Sequence, residues 1–417
     1  MLSVESAQKI TKSGVSFFDV KKNAEVGEFP NLFSQYLKSY GDIYFWEKGN
    51  FHVITKAAHA REVLSGHNFS ADRGAFFVSR MPNLDLRLIT DFFGVVKKMM
   101  VMSDDEDHSK RRKIAALGFE EQILEGFKSK LKSSVKELTN SLKGRESVEF
   151  SSEIARKLPA TVLADLFSIP DSDRESFLMW SNIMTGFFGG ASEYRDEDGI
   201  EVNHAALSLK KYFLKLVAER RLKPGDDYVS ITIRAQRMFG LTDDELISQL
   251  IMMLVAGMAT TTDQVNNIMF LLATHPKFQR EMREKPELIS AGIEECKRFD
   301  PAVTFIFRIA RTDCIIGGQF IEKGDVIFIS NHLVNRDLPA DERPNKLDLH
   351  RRGTHFAYGH GPHYCIGAKL ARMEMLELFE EIFRELPPFE LDSSKDSIRD
   401  HYSLSFSGFR ELHLRFL

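Results

Sequence analysis

Tyr358-Gly359-His360-Gly361-Pro362-His363-Tyr364-Cys365-Ile366-Gly367 is the most informative segment of the chain. Because it contains three glycines and a proline, it cannot form a regular helix or strand, and it predicts a shaped loop. The residues that follow, from Ala368 to Leu376, are strong helix formers. Cys365 therefore lies at a helix N-terminus, where free amides and the helix dipole stabilise an anionic sulfur that can bind a metal.

The glycines beside Cys365 support this interpretation, since glycine lets a flat cofactor approach the backbone closely. Taken alone, a cysteine before a helix is more often an inert buried residue. The whole segment, however, resembles the haem-binding loop of the cytochrome P450 family, whose pattern is Phe-Gly-x-Gly-x-His/Arg-x-Cys-x-Gly. The resemblance implies haem b as the cofactor, with Cys365 as the axial ligand of the iron and Gly359 and Gly367 as cofactor-binding residues. Tyr358 departs from the pattern, because it keeps an aromatic ring but adds a hydroxyl group.

A second motif lies about seventy residues before the loop, at Glu295-Cys296-Lys297-Arg298. On a helix, residues three apart share a face, so Glu295 and Arg298 alone would predict an ordinary surface ion pair. The segment is similar to the Glu-x-x-Arg motif of the same family. The resemblance implies that Glu295 and Arg298 form a buried network with Arg351, with a structural role.

A dianionic haem needs cations near its propionates, and arginine provides bidentate contacts. Ser103-Asp104-Asp105-Glu106 predicts a capping box that opens a helix. Each candidate cation alone would be interpreted as a solvated surface residue. The resemblance to the family implies that four of them together contact the haem: His108, Arg112, Arg308 and His355.

A long helix is predicted from Asp243 to Thr274, and it contains Ala256-Gly257-Met258-Ala259-Thr260-Thr261-Thr262. Small residues also serve plain helix packing. In P450s the corresponding segment reads Ala-Gly-x-Asp/Glu-Thr, crosses the distal face of the haem and helps to deliver protons to bound oxygen. Thr260 is thus the predicted catalytic residue, while Ala259 replaces the acid. This departure favours peroxide-driven chemistry, desaturation or oxidative coupling more than in a standard member, and it leaves a non-catalytic haem sensor as an alternative.

Composition limits the possible functions. Of the 417 residues, 43% are hydrophobic, and the formal net charge is only −4, which does not indicate a nucleic-acid partner. Three scattered cysteines predict no disulfide framework and therefore a reducing compartment. The N-terminus has no pattern of a signal peptide, and no apolar run is long enough for a membrane anchor. We therefore expect a soluble, cytoplasmic protein.

The predicted fold class is mainly α with small β-sheets, a single large domain of the cytochrome P450 fold over 1–417. A β-rich N-terminal part is expected at about 25–70, a helical core at about 104–300 and the Cys loop at 358–367. A hairpin is predicted from Asp42–Trp46 and Phe51–Ile54, joined by Glu47–Asn50.

The family resemblance implies the substrate and the partners. It predicts a haem-thiolate monooxygenase that oxidises a large, mostly apolar small molecule, free or attached to a carrier protein, in bacterial secondary-metabolite biosynthesis. No flavin or iron–sulfur motif is present, so electrons are expected from a ferredoxin and its reductase. Basic residues at 110–113, together with Lys369 and Arg372, could form the docking patch. Eight phenylalanines are expected to line the substrate pocket: Phe76, Phe77, Phe92, Phe93, Phe187, Phe188, Phe305 and Phe406.

Overall fold

A five-stranded sheet contains the predicted N-terminal hairpin. The computed structural model describes residues 38, 41–46, 50–188, 194–399 and 405–417. Strand β1 (Ile43–Trp46) pairs antiparallel with β2 (Phe51–Ile54), which confirms the two strands of the hairpin. Residues 25–37, 39–40 and 47–49 of the predicted β-rich part lie outside the described residues.

The other strands of this sheet come from distant parts of the sequence. Its order is β1-β2-β8-β5-β3, in which β2 and β8 are parallel and the remaining pairs are antiparallel. Three smaller sheets have the orders β6-β7, β10-β11 and β4-β12-β9. The further strands are β3 (Phe69–Ser70), β4 (Ser147–Glu149), β5 (Phe305–Ala310), β6 (Cys314–Ile316), β7 (Gln319–Ile321), β8 (Val326–Ser330), β9 (Phe389–Leu391), β10 (Ile398–Arg399), β11 (Phe409–Glu411) and β12 (His413–Phe416).

Helices make up most of the described chain, as the sequence predicts. They bury their apolar faces in one large cluster, which extends from Met81 to Leu414 in the sequence. The α-helices are α1 (Ala57–Ser65), α2 (Gly74–Ser79), α3 (Thr90–Val96), α4 (Asp105–Ala116), α5 (Glu121–Asn140), α6 (Lys157–Leu166), α7 (Arg174–Phe188), α8 (Asp196–Leu222), α9 (Tyr228–Gln236), α10 (Asp243–Thr274), α11 (Pro276–Glu284), α12 (Ile289–Phe299), α13 (Asn331–Val334) and α14 (Ala368–Glu385).

Helix α10 has the predicted bounds and runs through the core, where it packs against α6, α7, α8 and α12. Its start is fixed by a capping box, in which Thr242 accepts from the amide of Glu245 and the Glu245 side chain accepts from the amide of Thr242. Among the described residues, α10 alone is long and apolar enough to cross a membrane. About two thirds of its most apolar window is buried inside the protein, as in the core helix of a globular domain.

The capping box predicted at residues 103–106 is wrong. Helix α4 begins at Asp105, and its N-cap residue Asp104 makes no side-chain cap hydrogen bond. Instead, the Asp104 carboxylate accepts from the amide of Ala71 at 2.8 Å and pairs with Arg311 at 2.9 Å. The Ser103 hydroxyl, which the predicted box requires as its cap, donates instead to the carbonyl of Met99 at 2.7 Å and accepts from Arg111.

Candidate active site

The loop at 358–367 is held in shape by its own backbone. The amide of Cys365 donates to the carbonyl of Tyr358 at 2.9 Å, and the amide of Tyr364 donates to the carbonyl of Gly361 at 2.9 Å. Gly359 and Gly361 have φ angles of +73° and +72°, which side chains rarely adopt. A Cβ atom on Gly361 would also lie 2.5 Å from the carbonyl oxygen of Leu64. The glycines are therefore needed to place Cys365 at the start of α14.

The Cys365 thiol lies deep in the protein, but its side chain is accessible from an internal cavity. Burial raises the pKa of Cys365, while the amides of Gly367 and Ala368 and the charges of Arg112 and Arg372 act in the opposite direction. The predicted helix N-terminus thus does stabilise the anion. A metal cation bound to the sulfur would complete the deprotonation.

This cavity has a volume of about 310 Å³ and is bounded by two elements that are far apart in the sequence. One is the Cys loop, from which Gly359, Cys365 and Gly367 reach the cavity surface. The other is α10, which contributes Ala256 and Gly257 where a flat group could lie against its backbone, together with Thr260 and Thr261. The sequence predicts both elements, and the fold brings them to the same cavity.

The structure brings three of the four predicted cations to this cavity, namely His108, Arg112 and Arg308. Arg73 and His363, which the sequence analysis did not assign, lie close to them in the same cavity. The rings of His108 and His363 lie 3.9 Å apart between centroids. Nε2 of His108 and Nε of Arg73 are buried without a hydrogen-bond partner among the described residues.

Burial disfavours the charged forms of these side chains. It lowers the pKa of Arg73 to about 9, of Arg308 to about 10, of His108 to about 4 and of His363 to about 2, and the neighbouring positive charges lower most of these pKa values further. The charge of Asp104 acts against this effect at all four side chains, and the charge of Asp72 also does so at Arg73. Buried arginines, together with arginine and histidine nitrogens that have no hydrogen-bond partner, fit an anionic group in the cavity.

His355 lies elsewhere. Its Nε2 atom is 3.0 Å from Oε2 of Glu294, and its Nδ1 atom accepts from the amide of Ala357. It is not one of the residues that surround the cavity. The histidine that does reach the cavity from this part of the chain is His363, two residues before Cys365. The signal was present in the sequence, because His363 occupies the His/Arg position of the loop pattern.

The Glu-x-x-Arg motif forms the expected buried network. Arg298 donates to Glu295 through Nε at 2.7 Å and through a terminal nitrogen at 2.9 Å, and Nε of Arg351 donates to the same carboxylate at 3.1 Å. Glu295 and Arg298 are 5% and 4% exposed, so the motif is not a surface pair. Arg298 also donates to the carbonyls of Asn335 and Pro344, which anchors the irregular segment before the Cys loop.

Thr260 reaches the cavity, and its hydroxyl donates to the carbonyl oxygen of Ala256 at 2.7 Å. Its oxygen can still accept a hydrogen bond from a group in the cavity. Ala259 is half-buried and is not one of the cavity residues. The position that departs from the family pattern therefore lies beside the cavity surface.

None of the eight phenylalanines predicted to line the pocket borders this cavity, whereas Phe119, which was not predicted, does. They pack against one another: Phe77 contacts Phe188 at 5.6 Å and Phe307 at 6.0 Å between ring centroids, and Phe92 contacts Phe187 at 5.1 Å. Aromatic edge-to-face packing accounts for this cluster. Residues 189–193 and 400–404, which neighbour the predicted pocket residues Phe188 and Phe406, lie outside the described residues.

Together these features fit a haem. Cys365 supplies a thiol ligand, the small residues of α10 and the loop leave room for a flat ring, and the arginines and histidines of the cluster supply donors for two propionates. Arg73, His108, Arg112, Arg308 and His363 would hold the carboxylates. The fold and this site define a haem-thiolate oxidoreductase.

Comparisons with known proteins agree with this class. The sequence profile described as Cytochrome P450 matches residues 194–408. The chain is 30% identical to Cytochrome P450 107B1 of Saccharopolyspora erythraea over 319 residues, 76% of each chain. It is 29% identical to the polyketide biosynthesis cytochrome P450 PksS of Bacillus subtilis, over 78% of this chain and 79% of that one. This protein belongs to the cytochrome P450 family, and it is a P450 monooxygenase.

The solved structures show the same fold over nearly the whole chain. P450BioI, in a complex with hexadec-9Z-enoic acid ligated acyl carrier protein, matches with a TM-score of 0.85 over 96% of this chain and 99% of that one, at 24% identity. The expected single P450 domain, mainly α with small sheets, is confirmed.

Proposed function

We propose that this P450 uses haem b, O₂ and electrons from a ferredoxin to oxidise a large, mostly apolar small molecule in bacterial secondary-metabolite biosynthesis. The observation that carries the proposal is the shared cavity, with Cys365 on the loop, Thr260 on α10 and the cation cluster. Relatives whose names refer to polyketide biosynthesis and to a mycinamicin IV hydroxylase/epoxidase support the substrate class. Hydroxylation, epoxidation, desaturation and oxidative coupling are all compatible with this site.

The bound haem supplies the oxygen activation, and the residues of this chain supply its environment. Cys365 would hold the iron through its thiolate, which would supply electron density to the bound cofactor. The hydroxyl of Thr260 holds a hydrogen-bonding site at Oγ1 on the α10 side of the cavity. Buried apolar residues such as Leu163 and Met252 line the remaining surface and exclude water.

A second candidate function follows from Ala259. Without a carboxylate before Thr260, proton delivery has to use water or a group of the substrate, and peroxide could replace O₂ and the ferredoxin. The two candidates separate in one assay. We expect turnover with NAD(P)H, ferredoxin and its reductase, whereas turnover with hydrogen peroxide alone would favour the second candidate. Binding of ligands without turnover under either condition would indicate a haem sensor.

The proposed docking patch for ferredoxin needs one correction. Arg111 is buried and pairs with Glu245 at 2.9 Å, and Arg112 lines the cavity, so neither offers a free surface charge. Lys113 and Lys369 are exposed. Replacing both lysines by glutamate should raise the KM for ferredoxin, and the difference from the unmodified protein should shrink at high salt. An unchanged KM would remove this patch from the proposal.

The direct test of the cofactor is a spectrum. Reduced protein treated with carbon monoxide should show the red-shifted Soret band of thiolate-ligated haem. The Cys365→Ser variant should lose this band, whereas Cys314→Ser, a cysteine on β6, should keep it. A protein that cannot be loaded with haem would overturn the proposal. A screen for ligands that shift the haem spin state then narrows the range of possible substrates. It should include apolar carboxylic acids both free and attached to a carrier protein.

A further inference from the structure

A partly buried ionic cluster lies behind the Cys loop. Its centre is Glu294, whose carboxylate accepts hydrogen bonds from Lys297 and from Arg372, at 3.1 and 3.0 Å for Arg372, and lies 3.0 Å from Nε2 of His355. Lys297 is only 1% exposed. A lysine is almost never buried to this extent without a specific set of partners.

One of those partners is the hydroxyl group that departs from the family pattern. Nζ of Lys297 donates to Oη of Tyr358 at 3.1 Å. An ammonium group has only donors, so the tyrosine oxygen must accept. A phenylalanine at 358 would leave Lys297 with one acceptor fewer in a buried position.

Tyr358 is also held by its ring. Nζ of Lys297 lies 4.8 Å from the ring centroid, and the guanidinium carbon of Arg372 lies 4.5 Å from it. Both are cation–π distances. The ring is therefore fixed by two cations, which share Glu294 as their carboxylate.

Tyr358 and Arg372 each interact with Cys365, one through the backbone and one through its charge. The carbonyl of Tyr358 accepts the amide of Cys365, and the charge of Arg372 favours the Cys365 thiolate. Lys297 and Tyr358 themselves both border the cavity. Moving the tyrosine ring would thus change the backbone that holds the cysteine and the position of a charge that stabilises its sulfur.

We propose that Lys297 and Tyr358 act as one positioning unit, which sets the electron donation by Cys365 and thereby the reduction potential of the haem-loaded protein. The proposal rests on the proposed function, because it requires that haem is bound through Cys365. Reduction adds one electron, and thus one negative charge, to the bound group. A positive charge held nearby in a weakly screened interior favours that step.

The test is a cycle of variants measured by potentiometric titration of the haem-loaded protein. Lys297→Met should lower the reduction equilibrium constant about tenfold, which is a fall of about 59 mV for a one-electron couple. Tyr358→Phe should give a smaller shift. The double variant should resemble Lys297→Met alone, because the two residues act through one contact. Lys297→Arg, which keeps the charge, should restore most of the potential.

Two controls separate this role from a purely structural one. Tyr212→Phe removes a tyrosine hydroxyl that donates to Asp173 at 2.9 Å, and Lys285→Met removes an exposed lysine paired with Glu281. Both should leave the potential unchanged. If Lys297→Met lowers only the melting temperature, or if the shifts of the two single variants add, the positioning unit is refuted. If the unmodified protein shows no thiolate Soret band with carbon monoxide, the proposed function has failed instead.

Discussion

The hydroxyl of Thr260 donates to the carbonyl oxygen of Ala256 at 2.7 Å, on the part of α10 that faces the cavity. This hydrogen bond uses the free lone pair of a helix carbonyl and restricts the rotamer of Thr260. The threonine oxygen is thereby presented to the cavity in one orientation. It is the polar side chain on which proton delivery should depend.

Replacing this hydroxyl should uncouple the enzyme. Thr260→Ala removes the only hydrogen-bonding group of that side chain, so the product formed per NAD(P)H consumed should fall by about 10²-fold or more. Thr260→Ser keeps the hydroxyl and should retain most of the coupling. If the alanine and serine variants behave alike, proton delivery does not pass through this position.

Restoring the family's acid gives a separate prediction. Ala259→Glu should increase the product formed per NAD(P)H, because a carboxylate would return a proton source next to Thr260. If the substrate itself supplies the proton, the added carboxylate should instead weaken substrate binding, since a buried charge without a partner is costly. Ligand-induced spin-state titrations and coupling measurements on the same variant distinguish the two results.

The cation cluster should affect haem retention and apoprotein stability with opposite signs. Burial lowers the pKa of Arg308 to about 10, which shows that its charge is costly in this position. Arg308→Leu removes this charge, so the apoprotein should melt at a higher temperature. The same change removes a donor for the propionates. A charge-assisted hydrogen bond contributes about 1.5–3 kcal/mol, so haem should bind about ten- to a hundredfold more weakly. Lys113→Leu, on exposed α4 surface, is the control and should change neither quantity.

The Glu295–Arg298 pair should contribute far more to stability than a surface ion pair. Glu295→Ala leaves two arginines without their shared carboxylate, and breaking a buried pair in this way costs about 3–5 kcal/mol. Lys285→Ala removes an exposed pair with Glu281 and should cost at most about 1 kcal/mol. Comparable melting temperatures for the two variants would contradict the structural role of the motif.

Glu374 predicts a dependence of stability on pH. Its side chain is 3% exposed, Oε2 has no partner among the described residues, and burial raises its pKa to about 8. The unfolded chain loses this proton near pH 4.5, whereas the folded protein keeps it up to about pH 8. The folded state therefore binds more protons across this interval, and stability should fall as the pH rises through it, by about 1.4 kcal/mol per unit of pKa shift.

Glu374→Gln should remove this contribution. The melting temperature of the variant should decline less between pH 5 and pH 8 than that of the unmodified protein. Glu380→Gln changes an exposed carboxylate on the same helix and serves as the control. Parallel pH profiles for the Glu374 variant and the unmodified protein would show that Glu374 is not kept neutral by burial.

Local chemistry was sufficient to predict the Cys loop, the helix after it and the bounds of α10. Glycines and strong helix formers act over a few residues, so they can be recognised in a linear sequence. The Thr242–Glu245 capping box is an equally local signal, which the sequence analysis did not assign. The partnership of Glu295 with Arg298 was predictable for the same reason, because both lie on one turn of α12.

Tertiary packing decided the rest. His355 contacts Glu294 and does not border the cavity, whereas His363 does. The Asp104 side chain contacts Ala71 and Arg311 and does not cap α4, and the phenylalanines pack on each other. The pairing of Lys297 with Tyr358 joins residues 61 positions apart. The polar contacts satisfy groups that the complete fold has removed from water, where an unpaired polar group is costly. Neighbours in the sequence do not determine which groups become buried, so the sequence alone could not predict these pairs.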